Sequence, residues 1–115
     1  MHEVGIAKSI VSIAEDYAKR AGAISIKTIA LRVGAMSGVV PAALEFAFEV
    51  AKLDTLAEHA SLEIDYLPMV AYCEDCELEF EVQDSYGIAI CPVCMEPTVQ
   101  LHQGQELDVK YLEVV

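Results

Sequence analysis

Basic residues are scarce in this chain: seven lysines and arginines stand against nineteen aspartates and glutamates, a formal charge of −12 over 115 residues. A surface that negative repels phosphate backbones and anionic membranes, which argues against nucleic-acid and membrane-surface partners. It suits a cationic ligand or a basic protein. No run of about 18 apolar residues occurs, so no membrane-spanning helix is expected. The start Met1-His2-Glu3 lacks the basic n-region of a signal peptide, and Lys8, Ser9, Ser12, Glu15 and Asp16 break the apolar positions that follow. The chain therefore reads as cytoplasmic. Catalytic signatures are missing as well: there is no nucleophile–base pair in a recognisable context and no open metal site. Gly34-Ala35-Met36-Ser37-Gly38 lacks the lysine and spacing of a phosphate loop and reads as a tight strand-to-helix turn. An enzyme is not expected.

Cysteine is sparse, but all four stand in one arrangement: Cys73-Glu74-Asp75-Cys76 and Cys91-Pro92-Val93-Cys94. A CxxC turn aims two sulfurs at one centre, so two such turns close a tetrahedral tetrathiolate shell around Zn²⁺. Fe²⁺ fits the same sulfurs, which would make an electron carrier. Disulfides are disfavoured because thiols of a cytosolic protein stay reduced. Residues 71–103 are also too few to bury a stable core without a staple. Such a metal is structural, since four cysteines leave no coordination position open for chemistry.

The remaining pattern gives a coarse fold. Residues 4–20 read as an amphipathic helix through Ala7, Ile10, Val11, Ala14, Tyr17 and Ala18, with Ile6 and Ile13 widening its apolar face and Gly22 placed as a C-cap. A strand runs from Ile24 to Val33, with a phase slip near Lys27-Thr28 that implies a bulge or a later start. Pro41 opens a second helix over 42–51. Leu44, Phe48 and Ala51 form one apolar stripe on it and Phe46 and Val50 another, both expected in the core. Leu62, Ile64 and Tyr66 alternate in a second strand ended by Pro68. Short strands at 79–82 and 88–90 flank a turn at 84–87. Leu107, Val109 and Tyr111 mark a last strand, while Leu112 and Val114 fall on the opposite phase.

That last strand has no partner of its size near the cysteines, so it is expected to return to the first sheet. The fold class is therefore α/β: a three-stranded sheet covered by two helices, with an inserted zinc-ribbon-like lobe carrying the two CxxC knuckles. The expected division is residues 1–70, completed by 104–115, and a metal lobe at 71–103.

Histidine is rare too. His59 and His102 occupy polar settings expected to be surface loops. His2 differs by position, because a second-residue histidine offers the α-amine of Met1, its own backbone nitrogen and its ring Nδ1 to one ion. Five- and six-membered chelate rings of nitrogen suit Ni²⁺ or Cu²⁺ rather than zinc. The plain alternative is a frayed terminus.

These residues together resemble the HypA/HybF family of hydrogenase-maturation nickel chaperones. The resemblance runs through Met1-His2-Glu3, the block Arg32-Val33-Gly34-Ala35-Met36-Ser37-Gly38-Val39-Val40-Pro41, the run Leu44-Glu45-Phe46-Ala47-Phe48-Glu49, both knuckles and Gly104-Gln105-Glu106-Leu107. It implies a non-catalytic carrier. His2, with the Met1 amine and neighbouring backbone nitrogens, would hold Ni²⁺ as transient cargo, and Glu3 would influence the site. Cys73, Cys76, Cys91 and Cys94 would hold structural Zn²⁺. The implied partners are the GTPase HypB, the large subunit of a [NiFe] hydrogenase and, in some bacteria, the urease maturation machinery. Some members carry a histidine beside the knuckles; here none lies between Cys73 and Cys94, and no nickel role is carried over to His102. The competing reading is a zinc-ribbon interaction adaptor without nickel.

Overall fold

The strand at the centre of the molecule is β1 (Ile26–Gly34), whose Ile29, Leu31 and Val33 are almost wholly buried. In the computed structural model, which describes residues 3–83 and 88–115, β1 lies between β2 (Ser61–Leu67) and β8 (Leu107–Val114). It runs parallel to β2, with Ile29 opposite Leu62 and Leu31 opposite Ile64. A parallel pair needs a crossover, supplied here by α2 (Pro41–Ala51). β8 runs antiparallel to β1, so the last strand returns to the first sheet as its period-2 pattern predicts.

Both phase slips in the sequence are real irregularities. The β1–β8 register shifts between Ile26 and Thr28, where the slip near Lys27-Thr28 was read, and again between Ala30 and Leu31. At the second shift Tyr111 faces Ala30 and Val109 faces Leu31, which leaves Lys110 over. The extra residue lets Leu112 join Leu107 and Val109 against the core despite its opposite sequence phase. Ile24 stays outside the strand and is exposed, so β1 starts two residues later than the apolar pattern suggests.

Two helices cover one face of this sheet. α1 (Glu3–Arg20) buries Ala7, Ile10, Val11, Ala14 and Ala18, and its alanines allow close packing on α2. Gly22, at φ 71°, closes the helix in the left-handed conformation expected after a C-terminus. On α2 the stripe of Leu44, Ala47 and Phe48 is buried, but Phe46 is 76% exposed and Val50 62%. The second stripe is therefore not core, contrary to the sequence expectation. Tyr17 and Ile13 of α1 are exposed as well. The reason is the layer count: two helices on one sheet face have nothing packed above them.

The other face carries polar side chains that cover the backbone themselves. Arg32 donates to both carboxylate oxygens of Asp108 at 2.9 and 3.0 Å, and the Tyr111 hydroxyl donates to Glu63 Oε2 at 2.7 Å. Beneath them Ala30 is buried.

Beyond β2 the chain builds two small sheets. β3 (Val70–Cys73) lies between β4 (Leu78–Glu81) and β7 (Leu101–Gln103), and β5 (Ala89–Ile90) pairs with β6 (Pro97–Thr98). The strands expected at 79–82 and 88–90 are present as β4 and β5, but they belong to different sheets, β4 on β3 and β5 on β6. The turn expected at 84–87 lies outside the described residues. A second core of Met69, Ala71 and Ala89, with Phe80, Val82 and Leu101 around it, sits under these strands.

The two parts meet through backbone. Gly34 N–H donates to Glu106 O, Ala35 N–H to Leu67 O and Met36 N–H to Gly104 O, at 2.7, 2.8 and 2.7 Å. A side chain at Gly34 would overlap the carbonyl of Gly104, and Gly104 itself has φ 124°. The Gly34–Gly38 turn is thus the tight strand-to-helix connection predicted, tied to both chain segments that lead into the small sheets.

Candidate metal centre

The first knuckle starts where β3 ends, so pairing of β3 with β4 and β7 fixes Cys73, which is buried. The second follows β5, with Cys91 fully buried. Around it Met95 N–H donates to Cys91 O at 2.9 Å and Cys91 N–H to Glu96 O at 3.0 Å, folding the chain back into β6. Two further bonds hold the knuckles together: Thr98 Oγ1 donates to Tyr72 O at 2.8 Å, and Tyr72 N–H to Gln100 O at 2.9 Å. The residue after each second cysteine, Glu77 and Met95, takes a positive φ of 52° and 63°. Both knuckles therefore turn the same way, at the position glycine would adopt with least strain.

The four Sγ atoms lie within 4.8 Å of one another, with Cys73 and Cys94 3.7 Å apart. A tetrahedral ion with bonds of about 2.3 Å places its sulfurs about 3.8 Å from each other. The side chains present therefore fit a tetrathiolate metal. Fe²⁺ is accommodated by the same cage. The thiols are also poised unequally: burial pushes Cys76 up to about 12, while the backbone N–H groups of Cys94 and Val93 hold Cys91 down to about 7. Cys94 is raised, because burial and its thiol neighbours outweigh the Glu96 N–H that favours its ionised form. A bound dication offsets the crowded thiolate charge and displaces the protons.

The second predicted site is placed less fully. Met1 and His2 lie outside the described residues, and Glu3 is the first residue of α1. A carboxylate in the first turn is favourable there, facing the positive end of the helix dipole. His102 is not in a loop as expected. It belongs to β7, stacks on Tyr72 with ring centroids 4.7 Å apart, and places Nδ1 3.3 Å from Glu79 Oε2. His59 lies in the turn-rich segment after α2 and is exposed. Among the described residues, the four cysteines are the one group of three or more His, Cys, Asp and Glu side chains close enough to share an ion. The Thr98 and Tyr72 ties escaped the sequence reading, since neither residue type announces a cross-lobe bond. A CxxC followed by a non-glycine gave no sign of the positive φ either.

A family model described as "Hydrogenase/urease nickel incorporation, metallochaperone, hypA" matches residues 1–114. The chain belongs to the HypA family. It is 42% identical over 115 residues to a hydrogenase maturation factor HypA of Picosynechococcus sp., covering 100% of both chains. Identity to the corresponding factor of Chloroflexus aurantiacus is 41% over 113 residues, covering 98% of each. The fold is similar to the solution structure of the Ni metallochaperone HypA from Helicobacter pylori, with TM-score 0.69 and 27% identity, covering 100% of this chain and 98% of that one. A second solution structure of a HypA protein gives TM-score 0.73 at 25% identity, covering 100% and 97%. Membership makes the chain a hydrogenase/urease nickel-incorporation metallochaperone, a maturation factor and not an enzyme. Its partners accordingly belong to the hydrogenase maturation machinery. No helix among the described residues is long and apolar enough to cross a membrane.

Proposed function

We propose that this chain carries Ni²⁺ at its N-terminus and hands it on during maturation of a [NiFe] hydrogenase. The ligands are the α-amine of Met1, the backbone nitrogen and imidazole of His2, and further nitrogen or carboxylate from Glu3. Nitrogen chelation of this kind suits Ni²⁺, and it loosens as the amine and imidazole take up protons, which favours release. Zn²⁺ sits permanently between Cys73, Cys76, Cys91 and Cys94 and holds the lobe of residues 71–103 together. That lobe is a unit inserted into the base formed by residues 1–70 and 104–115. The cargo passes with the help of the GTPase HypB to the hydrogenase large subunit, or in some organisms to urease maturation, in the cytoplasm.

The observation that carries this reading is the family match from residue 1, which takes in the Met1-His2-Glu3 start as well as both knuckles. The test is a calorimetric Ni²⁺ titration of zinc-loaded protein in three forms: native, His2→Ala, and extended by a short segment ahead of Met1. Native binding with loss in both altered forms is the expected result. Loss in His2→Ala alone removes the amine from the ligand set. Equal binding by all three forms overturns the terminal site and leaves a zinc-ribbon adaptor as the better description.

A further inference from the structure

No lysine or arginine occurs between Lys52 and Lys110, so residues 71–103 hold seven acids and not one permanent positive charge. The same lobe also leaves apolar side chains in water, and it gathers them on one ribbon. Along the β5–β6 ribbon Ala89 pairs with Thr98 and Ile90 with Pro97. Ala89 is buried in the lobe's small core and Thr98 points back to Tyr72 O, so that side of the ribbon faces inward. Side chains alternate along a strand, which turns Ile90 and Pro97 outward together with their second neighbours Ile88 and Val99. Ile88 is 71% exposed, Ile90 50% and Val99 94%. Val93 and Met95, in the knuckle that joins the two strands, are exposed as well.

Isolated exposed apolar residues need no explanation, but a strand pair with one whole apolar face does. Along the free edge of β6 runs a groove of about 270 Å³, with Cys73 and Thr98 on its inner side and Glu74, Asp75, Glu96, Pro97, Val99 and Gln100 around it. Acidic side chains from both knuckles therefore stand next to the outward residues of β6. We propose that the outer face of the β5–β6 ribbon, with its acidic groove, docks a basic amphipathic segment of another protein. Apolar side chains of that segment cover Ile88, Ile90, Pro97 and Val99, and its lysines or arginines lie along Glu74, Asp75 and Glu96. A second copy of this chain is a poor occupant, because it would bring a like-charged lobe against this one. An anionic membrane is repelled for the same reason. The exposed stripe of Phe46 and Val50 on α2, flanked by Glu45 and by Glu49, which pairs with Lys52, serves as the internal comparison.

The surface uses none of the residues proposed to hold nickel, so its test needs no nickel. Zinc-loaded full-length protein is titrated into a fluorescein-labelled amphipathic peptide of lysine and leucine, followed by anisotropy. The Ile90→Ser/Val99→Ser double variant, both positions being solvent-exposed, is expected to weaken binding by roughly tenfold or more, as loss of a central contact does. Phe46→Ser/Val50→Ser is expected to leave it unchanged, and rising salt to weaken it. Backbone amide exchange of the peptide complex should show new protection at residues 88–99. Equal binding by the Ile90→Ser/Val99→Ser variant overturns the proposal, as does loss in the α2 variant instead. So does equal binding of a glutamate–leucine peptide, which would mean that charge plays no part. A dimer in sedimentation that Ile90→Ser/Val99→Ser dissolves would assign the face to a second copy and overturn it too.

Discussion

Tyr111 shows how a single side chain ties stability to pH. Its hydroxyl donates to Glu63 Oε2, and the neighbouring carboxylate, with some burial, raises it above the ordinary tyrosine value. A raised value means that the folded chain holds this proton more tightly than the unfolded one. The contribution is whole below the ordinary tyrosine value of about 10 and is lost as pH climbs through the folded value. Urea unfolding across this alkaline range should therefore show a steeper decline for the native chain than for Tyr111→Phe. Parallel declines would mean that the bond contributes nothing. At the knuckles the same logic runs through a metal. Burial pushes Cys76 up to about 12, so loading the cage must release protons.

Among the elements, α2 separates what packs from what merely repeats at helical spacing. Phe48 is 1% exposed against the core of the base, whereas Phe46, two residues earlier, points outward. Phe48→Ala should cost about 3–5 kcal/mol, while Phe46→Ser should stay within about 0.5 kcal/mol, measured by chemical denaturation. Similar losses at both sites would contradict the packing described. The sequence offered no means of choosing between the two stripes, because periodicity marks apolar faces but not the layer they meet. Where a pattern was tied to geometry it was readable. The slip at Lys27-Thr28 became a bulge, and the alternation from Leu107 onward brought β8 back beside β1. β3, β6 and β7 were not readable. They are two to four residues long, and their pairing is set by the cysteine turns rather than by alternation of their own. The cage itself was legible from spacing, since four cysteines in two CxxC pairs have few other uses. The proposed nickel site rests on the position of His2 and on the family start, and Met1 and His2 lie outside the described residues.

For the whole molecule, the important fact is that the described residues form two separate cores. The base has a core from Ala7 to Ala60 under its sheet, and the smaller lobe relies on Met69, Ala71, Ala89 and the cage. So few buried side chains do not hold a lobe of this size without the metal. Stripping zinc with a strong chelator should collapse amide-exchange protection in residues 70–103 and leave that of α1, β1 and α2 nearly intact. Loss of protection throughout would mean that the base depends on the lobe through Gly34 and Gly104. The central claim is that each metal keeps to its own ligands, nitrogen and oxygen for nickel and sulfur for zinc. X-ray absorption on one sample loaded with both metals reads the two shells separately. The account predicts four sulfurs at about 2.3 Å around zinc, and a nickel shell of nitrogen and oxygen that His2→Ala disrupts. Sulfur in the nickel shell, or a zinc shell short of four sulfurs, would contradict it.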